Sequence, residues 1–247
     1  MREYFDFAYV YDKLTENVNY SHLADYIEKI FKKYFDNKPE LILDLACGTG
    51  SMANILSDRG YDMIGVDSSY DMLNVAMEKR GDRNILYLNQ DAGEFELYGT
   101  VDAIVCLQDS INYITDEDSI DGLFWGADNY LNPGGLFIFD ANTLYKFENV
   151  LSNNTLTYDD DEIFYSWENE YIPEDSLHNM YLTFFVKEDD VYHRFDEHHV
   201  QRYYSEEFLD RYIHKYGFEK LGVFAERTFE KPHKSSERIF YILRKNV

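Results

Sequence analysis

The chain of 247 residues carries 47 acidic against 23 basic side chains, a formal net charge of -24, with 45% hydrophobic and 17% aromatic residues. That apolar content supports a real core and excludes a disordered chain, and the length suits one large α/β domain with an elaboration. A strongly negative charge repels polyanions, so nucleic acid and anionic membrane surfaces are disfavoured as partners. The sequence starts Met-Arg-Glu-Tyr without the apolar run of a signal peptide or membrane span, and Cys47 and Cys106 sit in apolar strand-like runs. A cytoplasmic, reduced protein without disulfide or metal is therefore expected, as monomer or homodimer. One local basic cluster, Arg227, Lys231, Lys234, Arg238 and Arg244, could still dock a phosphate.

In chain order, residues 1–40 are rich in Tyr and Phe, and Ser21 to Phe35 reads as an amphipathic helix opened by Ser21 as N-cap. This segment is expected to be a helical cover. From residue 41 short apolar runs alternate with helical stretches: Leu41 to Leu45, Met52 to Leu56, Met63 to Val66, Met72 to Met77. The alternation predicts βαβ units on a parallel sheet. Further strands are expected at Ile85 to Leu88, Val101 to Leu107 and Leu136 to Phe139. A helix over Glu117 to Tyr130 precedes the last of them, and the turn Asn132-Pro133-Gly134-Gly135 punctuates it. Residues 153–204 then change character. Ile163 to Trp167 and Met180 to Val186 are β-prone and separated by acidic turns, which predicts about three inserted antiparallel strands. A helix from Ser205 to Tyr216 and two long strands, Phe218 to Arg227 and Arg238 to Lys245, return the chain to the core formed by 41–152 and 205–247.

The richest segment is Asp44-Leu45-Ala46-Cys47-Gly48-Thr49-Gly50, where a buried strand breaks into a small-residue turn that opens a helix. Such a turn lets a ligand lie against bare backbone. The second strand ends at Asp67, where a carboxylate can accept both hydroxyls of a ribose, unless it merely caps the next helix. The third ends in Asp91-Ala92, positioned for an adenine edge. A turn and two acids at three consecutive strand ends describe an adenosine pocket. A dinucleotide site would instead carry a pyrophosphate on the helix N-terminus, whereas here the acid Asp44 precedes the turn.

These residues resemble the class I S-adenosylmethionine-dependent methyltransferases, whose first motif reads acid-x-Gly/Ala-x-Gly-x-Gly; here Ala46 takes the first glycine slot. Asp67, Asp91-Ala92, the Asn132 to Gly135 turn and the closing strand pair extend the resemblance over nearly the whole chain. It implies a doubly wound, mostly parallel seven-stranded α/β sheet with S-adenosylmethionine as cofactor. By the same resemblance the cofactor-binding residues are Tyr11, Asp44, Ala46, Cys47, Gly48, Gly50, Asp67, Ser68, Met72, Asp91, Ala92 and Gln108.

After the fourth strand, Gln108-Asp109-Ser110 lacks the Asn/Asp-Pro-Pro-aromatic mark of enzymes that methylate the amino groups of bases, and no Pro-Cys nucleophile stands there. What remains is similar to a small-molecule branch that includes glycine and sugar N-methyltransferases. Phe7 to Leu14, with its Tyr11-Asp12 pair, and His198 to Ser205 carry that likeness. Methyl transfer to N or O of a small acceptor follows, with a nucleic-acid acceptor or a non-catalytic binding module as alternatives. In-line displacement needs mainly alignment; Asp109 and His199 are the candidate proton acceptors, and Tyr20 and Tyr203 the candidate acceptor contacts. Residues 153–204 are expected to form the lid, their acidic residues favouring a cationic acceptor. Adjacent His198 and His199 would point to opposite faces of a strand, which argues against joint metal ligation.

Overall fold

The computed structural model describes residues 7–246; the rest of the expected cover, residues 1–6, and Val247 lie outside them. Two helices open the described chain, α1 (Phe7–Leu14) and α2 (Tyr20–Tyr34). The cap of α2 is Asn19, whose side chain accepts from the His22 amide at 2.9 Å. Ser21, expected in that role, lies inside the first turn, and its carbonyl and hydroxyl accept from Arg59 instead.

The core follows as β1 (Leu41–Leu45), α3 (Ser51–Asp58), β2 (Asp62–Asp67), α4 (Tyr70–Arg80), β3 (Ile85–Asn89), β4 (Val101–Cys106), α5 (Ser110–Tyr113), α6 (Glu117–Tyr130) and β5 (Leu131–Asn142). A single π-helical stretch, Lys146–Leu151, leads to four strands, β6 (Thr155–Asp159), β7 (Ile163–Ile172), β8 (Leu177–Glu188) and β9 (Val191–Arg202). The chain ends with α7 (Glu206–Lys215), β10 (Glu219–Ala225) and β11 (Arg238–Arg244).

Seven strands form one sheet in the order β10-β11-β5-β4-β1-β2-β3, with β11 antiparallel to both neighbours and the pairs among β1 to β5 parallel. Both faces are buried, which is why the strands read as unbroken apolar runs. Ile42 packs on one face with α2 and α3, while Leu43 and Leu45 pack on the other with α6 and α7. Helix α6 supplies Ile120, Leu123, Phe124 and Ala127, all fully buried, at the i, i+3, i+4, i+7 spacing of one helical face. Burying side chains such as Phe124 contributes roughly 1.5–3 kcal/mol each. The Asn132-Pro133-Gly134-Gly135 turn is a bulge inside β5: Val101 pairs with Leu131 and Ala103 with Leu136, so four residues loop out between them.

The inserted sheet has four strands, in the order β6-β7-β8-β9, not about three. The additional strand is β6, Thr-Leu-Thr-Tyr-Asp, whose five residues are all exposed. Its alternation of Leu156 and Tyr158 with polar residues spans only five positions, too short to stand out beside the longer apolar runs of β7 and β8.

Candidate active site

The turn after β1 is left-handed at Ala46, Gly48 and Gly50, with φ of 58°, 53° and 73°. A Cβ on Gly50 would lie 2.3 Å from the Tyr87 hydroxyl, so only glycine fits there, whereas a Cβ on Gly48 would meet nothing within 4 Å. The backbone at Gly48 therefore faces open space that a ligand can fill. Ala46 adopts the left-handed conformation at a cost of about 1–2 kcal/mol, and the adjacent Cys47 amide anchors the turn to Val66 O at 2.9 Å.

Asp44 is buried, and its Oδ2 makes no hydrogen bond. Burial pushes its pKa up to about 7, partly opposed by the Ala53 amide that donates to it. Tyr11 donates to Tyr20, and both rings stand over Asp44, Ala46, Cys47 and Gly48. Tyr20, expected at the acceptor, is therefore placed beside Asp44 and not among the residues lining the larger cavity described below, because α2 begins over the end of β1. Helix α1 is tied to the same turn: Asp12 accepts from Thr49 Oγ1 at 2.5 Å and pairs with Lys79, which also donates to Ser51 Oγ at 2.9 Å.

The Asp67 carboxylate accepts the Gly48 amide on Oδ2 at 2.7 Å and the Ser69 amide on Oδ1 at 2.9 Å. Helix α4 is capped by Ser69, which accepts from the Met72 amide at 3.2 Å, so Asp67 is not the helix cap. Each carboxylate oxygen keeps a second lone pair, and burial holds the group above the usual carboxylate range. Asp67 and Ser68 also line a smaller hollow of about 180 Å³ together with Asp91 and Ala92.

At the end of β4, Gln108 and Asp109 are consecutive left-handed residues, φ 60° and 54°. Their amides donate to the two oxygens of Asp140, at 2.7 and 2.8 Å. Two such residues cost roughly 1–3 kcal/mol each, which two hydrogen bonds to a buried charge, about 1.5–3 kcal/mol each, offset. Arg238 donates to Asp140 at 2.8 Å and pairs with Asp109, and Gln201 donates to the other Asp109 oxygen at 2.6 Å. Neither Arg238 nor Asp140 is legible as a partner in sequence, since they are far apart in the chain and meet only through the β5–β11 pairing. Two members of the basic cluster are thereby taken out of it: Arg238 is largely covered in this network, and Arg244 donates to Tyr34 O at 2.8 Å.

A cavity of about 480 Å³ separates the strand ends of the core from the inserted sheet. Ala46, Gly48, Asp67, Ser68, Met72, Gln108 and Asp109 line it from the core, Phe7 and Tyr11 from α1, and Tyr165, Trp167, Met180, His199 and Gln201 from the insert. Along β9 the odd-numbered residues turn inward: His199 is half-buried, while His198 is exposed and stacks on Tyr181. The His199 ring lies 5.1 Å from Phe7 and 6.0 Å from Tyr113, and its Nε2 makes no hydrogen bond. Burial lowers its pKa below the ordinary imidazole value, with His198 adding to the effect. Tyr203, expected at the acceptor, lies past the end of β9 and packs on Phe147, Leu151 and Tyr171 outside the cavity. The carboxylates among the lining residues, Asp67 and Asp109, both come from the core, and from the insert Glu197 Oε2 comes within 3.8 Å of His199 Nε2. Acidic turns such as Asp189-Asp190 are exposed.

A methyltransferase domain family matches residues 42–135. A methyltransferase of Geobacillus sp. (strain WCH70) is 33% identical over 98% of this chain and 99% of its own. The crystal structure of an S-adenosylmethionine-dependent methyltransferase from Clostridium acetobutylicum ATCC 824 superposes with a TM-score of 0.89 at 36% identity, covering 98% of both chains. An S-adenosylmethionine-bound amino pentose methyltransferase from Micromonospora echinaspora shares the fold at a TM-score of 0.76 and 15% identity, covering 99% of both chains. With the strand-end constellation described above, these likenesses place the chain in the class I S-adenosylmethionine-dependent methyltransferases, with S-adenosylmethionine as cofactor.

Proposed function

We propose that the chain transfers the methyl group to a nitrogen or oxygen atom of a small molecule enclosed between the two sheets. The observation that carries this reading is the single cavity of about 480 Å³ that joins Gly48, Asp67 and Gln108 of the core to Trp167 and His199 of the insert. That volume is within the range of small-molecule sites. The fold shared with an amino pentose methyltransferase supports the same acceptor class.

The residues present fit the cofactor. The unpartnered Asp44 oxygen suits its ammonium, the open space over Gly48 its chain, the spare lone pairs of Asp67 its ribose, and Asp91 and Ala92 its adenine edge. Bound there, S-adenosylmethionine supplies an electrophilic methyl on a sulfonium. The acceptor's lone pair would take that methyl as the carbon–sulfur bond gives its electrons back to sulfur, and S-adenosylhomocysteine would leave. Alignment supplies most of the acceleration. The His199 imidazole, which lines the cavity and which burial keeps neutral and able to accept, takes the acceptor's proton. Asp109, with both oxygens engaged, is a positioning residue that holds Gln201 and Arg238 in place.

The test is a panel of small amines and hydroxy compounds, read by S-adenosylhomocysteine formation. At least one acceptor is expected to turn over. His199→Gln should lower kcat by about 10²–10⁴-fold, leave S-adenosylhomocysteine affinity intact and remove the acidic limb of the pH–rate profile, which lies below the usual histidine range. Transfer confined to RNA or protein would overturn the reading.

A further inference from the structure

Arg238 reads in sequence as part of a basic cluster, yet its side chain is only 11% exposed and its guanidinium reaches two carboxylates from different elements. One nitrogen donates to Asp140, near the end of β5, at 2.8 Å, and the other pairs with Asp109 in the turn after β4. Asp140 spends its two oxygens on the Gln108 and Asp109 amides at 2.7 and 2.8 Å, which holds that turn in its left-handed conformation. Asp109 accepts from Gln201 on its other oxygen at 2.6 Å. Gln201 is buried, and Asn142 of β5 donates to its side-chain oxygen at 3.2 Å, so its amide is fixed at both ends. Gln201 and His199 stand two residues apart on β9 and share the face that lines the cavity. A single guanidinium thus bears on both walls, on Gln108 through Asp140 and on His199 through Asp109 and Gln201.

Charge neutralisation explains part of this arrangement. Asp109 and Asp140 bring two negative charges into a largely covered site, and Arg238 and Lys146 supply two positive ones. Lys146 stands on the π-helical stretch after β5 and donates to Asn142 Oδ1 at 2.9 Å. Any cation near the pair would meet that need, without a planar fork whose two nitrogens hold one carboxylate each. Nor does neutralisation call for two consecutive left-handed residues, a conformation that persists only where the surroundings over-determine it. We propose that Arg238 is a positioning residue for methyl transfer, which fixes the Gln108 turn on one wall of the cavity relative to the His199 imidazole on the other. Arg238 itself does not line the cavity, so it acts through Asp140, Asp109 and Gln201 and not on a reactant. In-line transfer tolerates little misplacement, since a shift of about 1 Å can cost on the order of 10²-fold in rate. The proposal rests on the reading that His199 takes the acceptor's proton in this cavity.

The experiment reads His199 directly, by NMR of isotope-labelled histidine in the S-adenosylhomocysteine-loaded protein, its signal identified by loss in His199→Gln. Arg238→Lys keeps a positive charge but not the fork, and Gln201→Leu cuts the link from Asp109 to β9. Each should displace the His199 signal and raise its titration midpoint toward the ordinary imidazole value, because burial between the two walls is what lowers it. The double variant should do no more than Gln201→Leu alone, since both act on His199 through Asp109. With an acceptor that turns over, Arg238→Lys should lower kcat by about 10²-fold. Its S-adenosylhomocysteine affinity should stay within about tenfold of wild type, which also shows that it is folded. A charge that only stabilises the fold would be replaced by lysine, so wild-type kcat with an unmoved His199 signal in Arg238→Lys overturns the proposal, as do effects of the two variants that simply add. If Arg238→Lys does not bind S-adenosylhomocysteine, Gln201→Leu decides alone: a displaced His199 supports the proposal and an unmoved one overturns it. Because the NMR readout needs no acceptor, an unmoved His199 sinks this inference alone, whereas a displaced His199 in a protein that methylates only RNA or protein sinks the functional reading.

Discussion

Asp44 is a buried carboxylate that the protein's own groups satisfy on one side only. Its pKa rises from 3.8 to about 7, so across that window the folded state holds a proton that the unfolded state has lost. Folding stability contributed by this group is complete below the lower value and is lost as pH climbs to the upper one. Asp44→Asn removes that loss. In the ligand-free protein its stability relative to wild type should rise through the same window and level off above it, by roughly 4 kcal/mol in all and about 2–3 kcal/mol of that between pH 5 and pH 8. Urea denaturation at pH 5 and pH 8 measures this, and an offset equal at both would be the wrong outcome. The same substitution should weaken S-adenosylmethionine binding by about 1.5–3 kcal/mol, the scale of a hydrogen bond to a charged group. Stability lost without ligand and affinity gained with it share one cause, an oxygen kept free for the cofactor.

At the scale of elements, the eight described residues of α1 bring Phe7 and Tyr11 to the cavity. The helix is kept by contacts on two sides. Val10, with Phe7 and Leu14, packs on Ile163, Phe184 and Val186 of the inserted sheet, while Asp12 binds Thr49 and Lys79 of the core. The helix is therefore a strap between the layers that carries Tyr11 over the glycine turn. Asp12→Ala should leave global stability within about 1 kcal/mol, the usual scale for a partly exposed ion pair. It should speed amide exchange over residues 7–14 and weaken S-adenosylhomocysteine binding up to roughly tenfold. Exchange and affinity both unchanged would show that Asp12 is not the fastening.

At the scale of the whole molecule, the parallel sheet brings Gly48, Asp67, Asp91 and Gln108 to one end, and the inserted sheet stands across the cavity from them. Hydrogen bonds from Gln201 to Asp109, and from Asn112 to the carbonyl of Arg202, register one layer against the other. Replacing residues 153–204 by a short Gly-Ser linker should retain S-adenosylhomocysteine affinity within about tenfold and abolish methyl transfer to small acceptors. Transfer to the same acceptor with unchanged kcat and KM would show that the insert takes no part in enclosing it.

By itself the sequence determined the parallel sheet, the glycine turn and the acids at the ends of β2 and β3, because these depend on short-range patterns: apolar runs, turn residues and their spacing. It also marked β9 as a strand whose alternation parts His198 from His199. Contacts that join distant segments were decided only by tertiary structure. Arg238 read as part of a basic surface until the β5–β11 pairing buried it against Asp109 and Asp140. Tyr203 read as an acceptor contact until the end of β9 carried it out of the cavity. Lys146 gave no signal, since a lone lysine between two strands is polar surface until a second sheet closes over it. Local backbone chemistry writes the glycine turn and its neighbouring acids into short runs of residues, whereas the cavity is the gap between two independently patterned layers, and a gap has no residue pattern of its own.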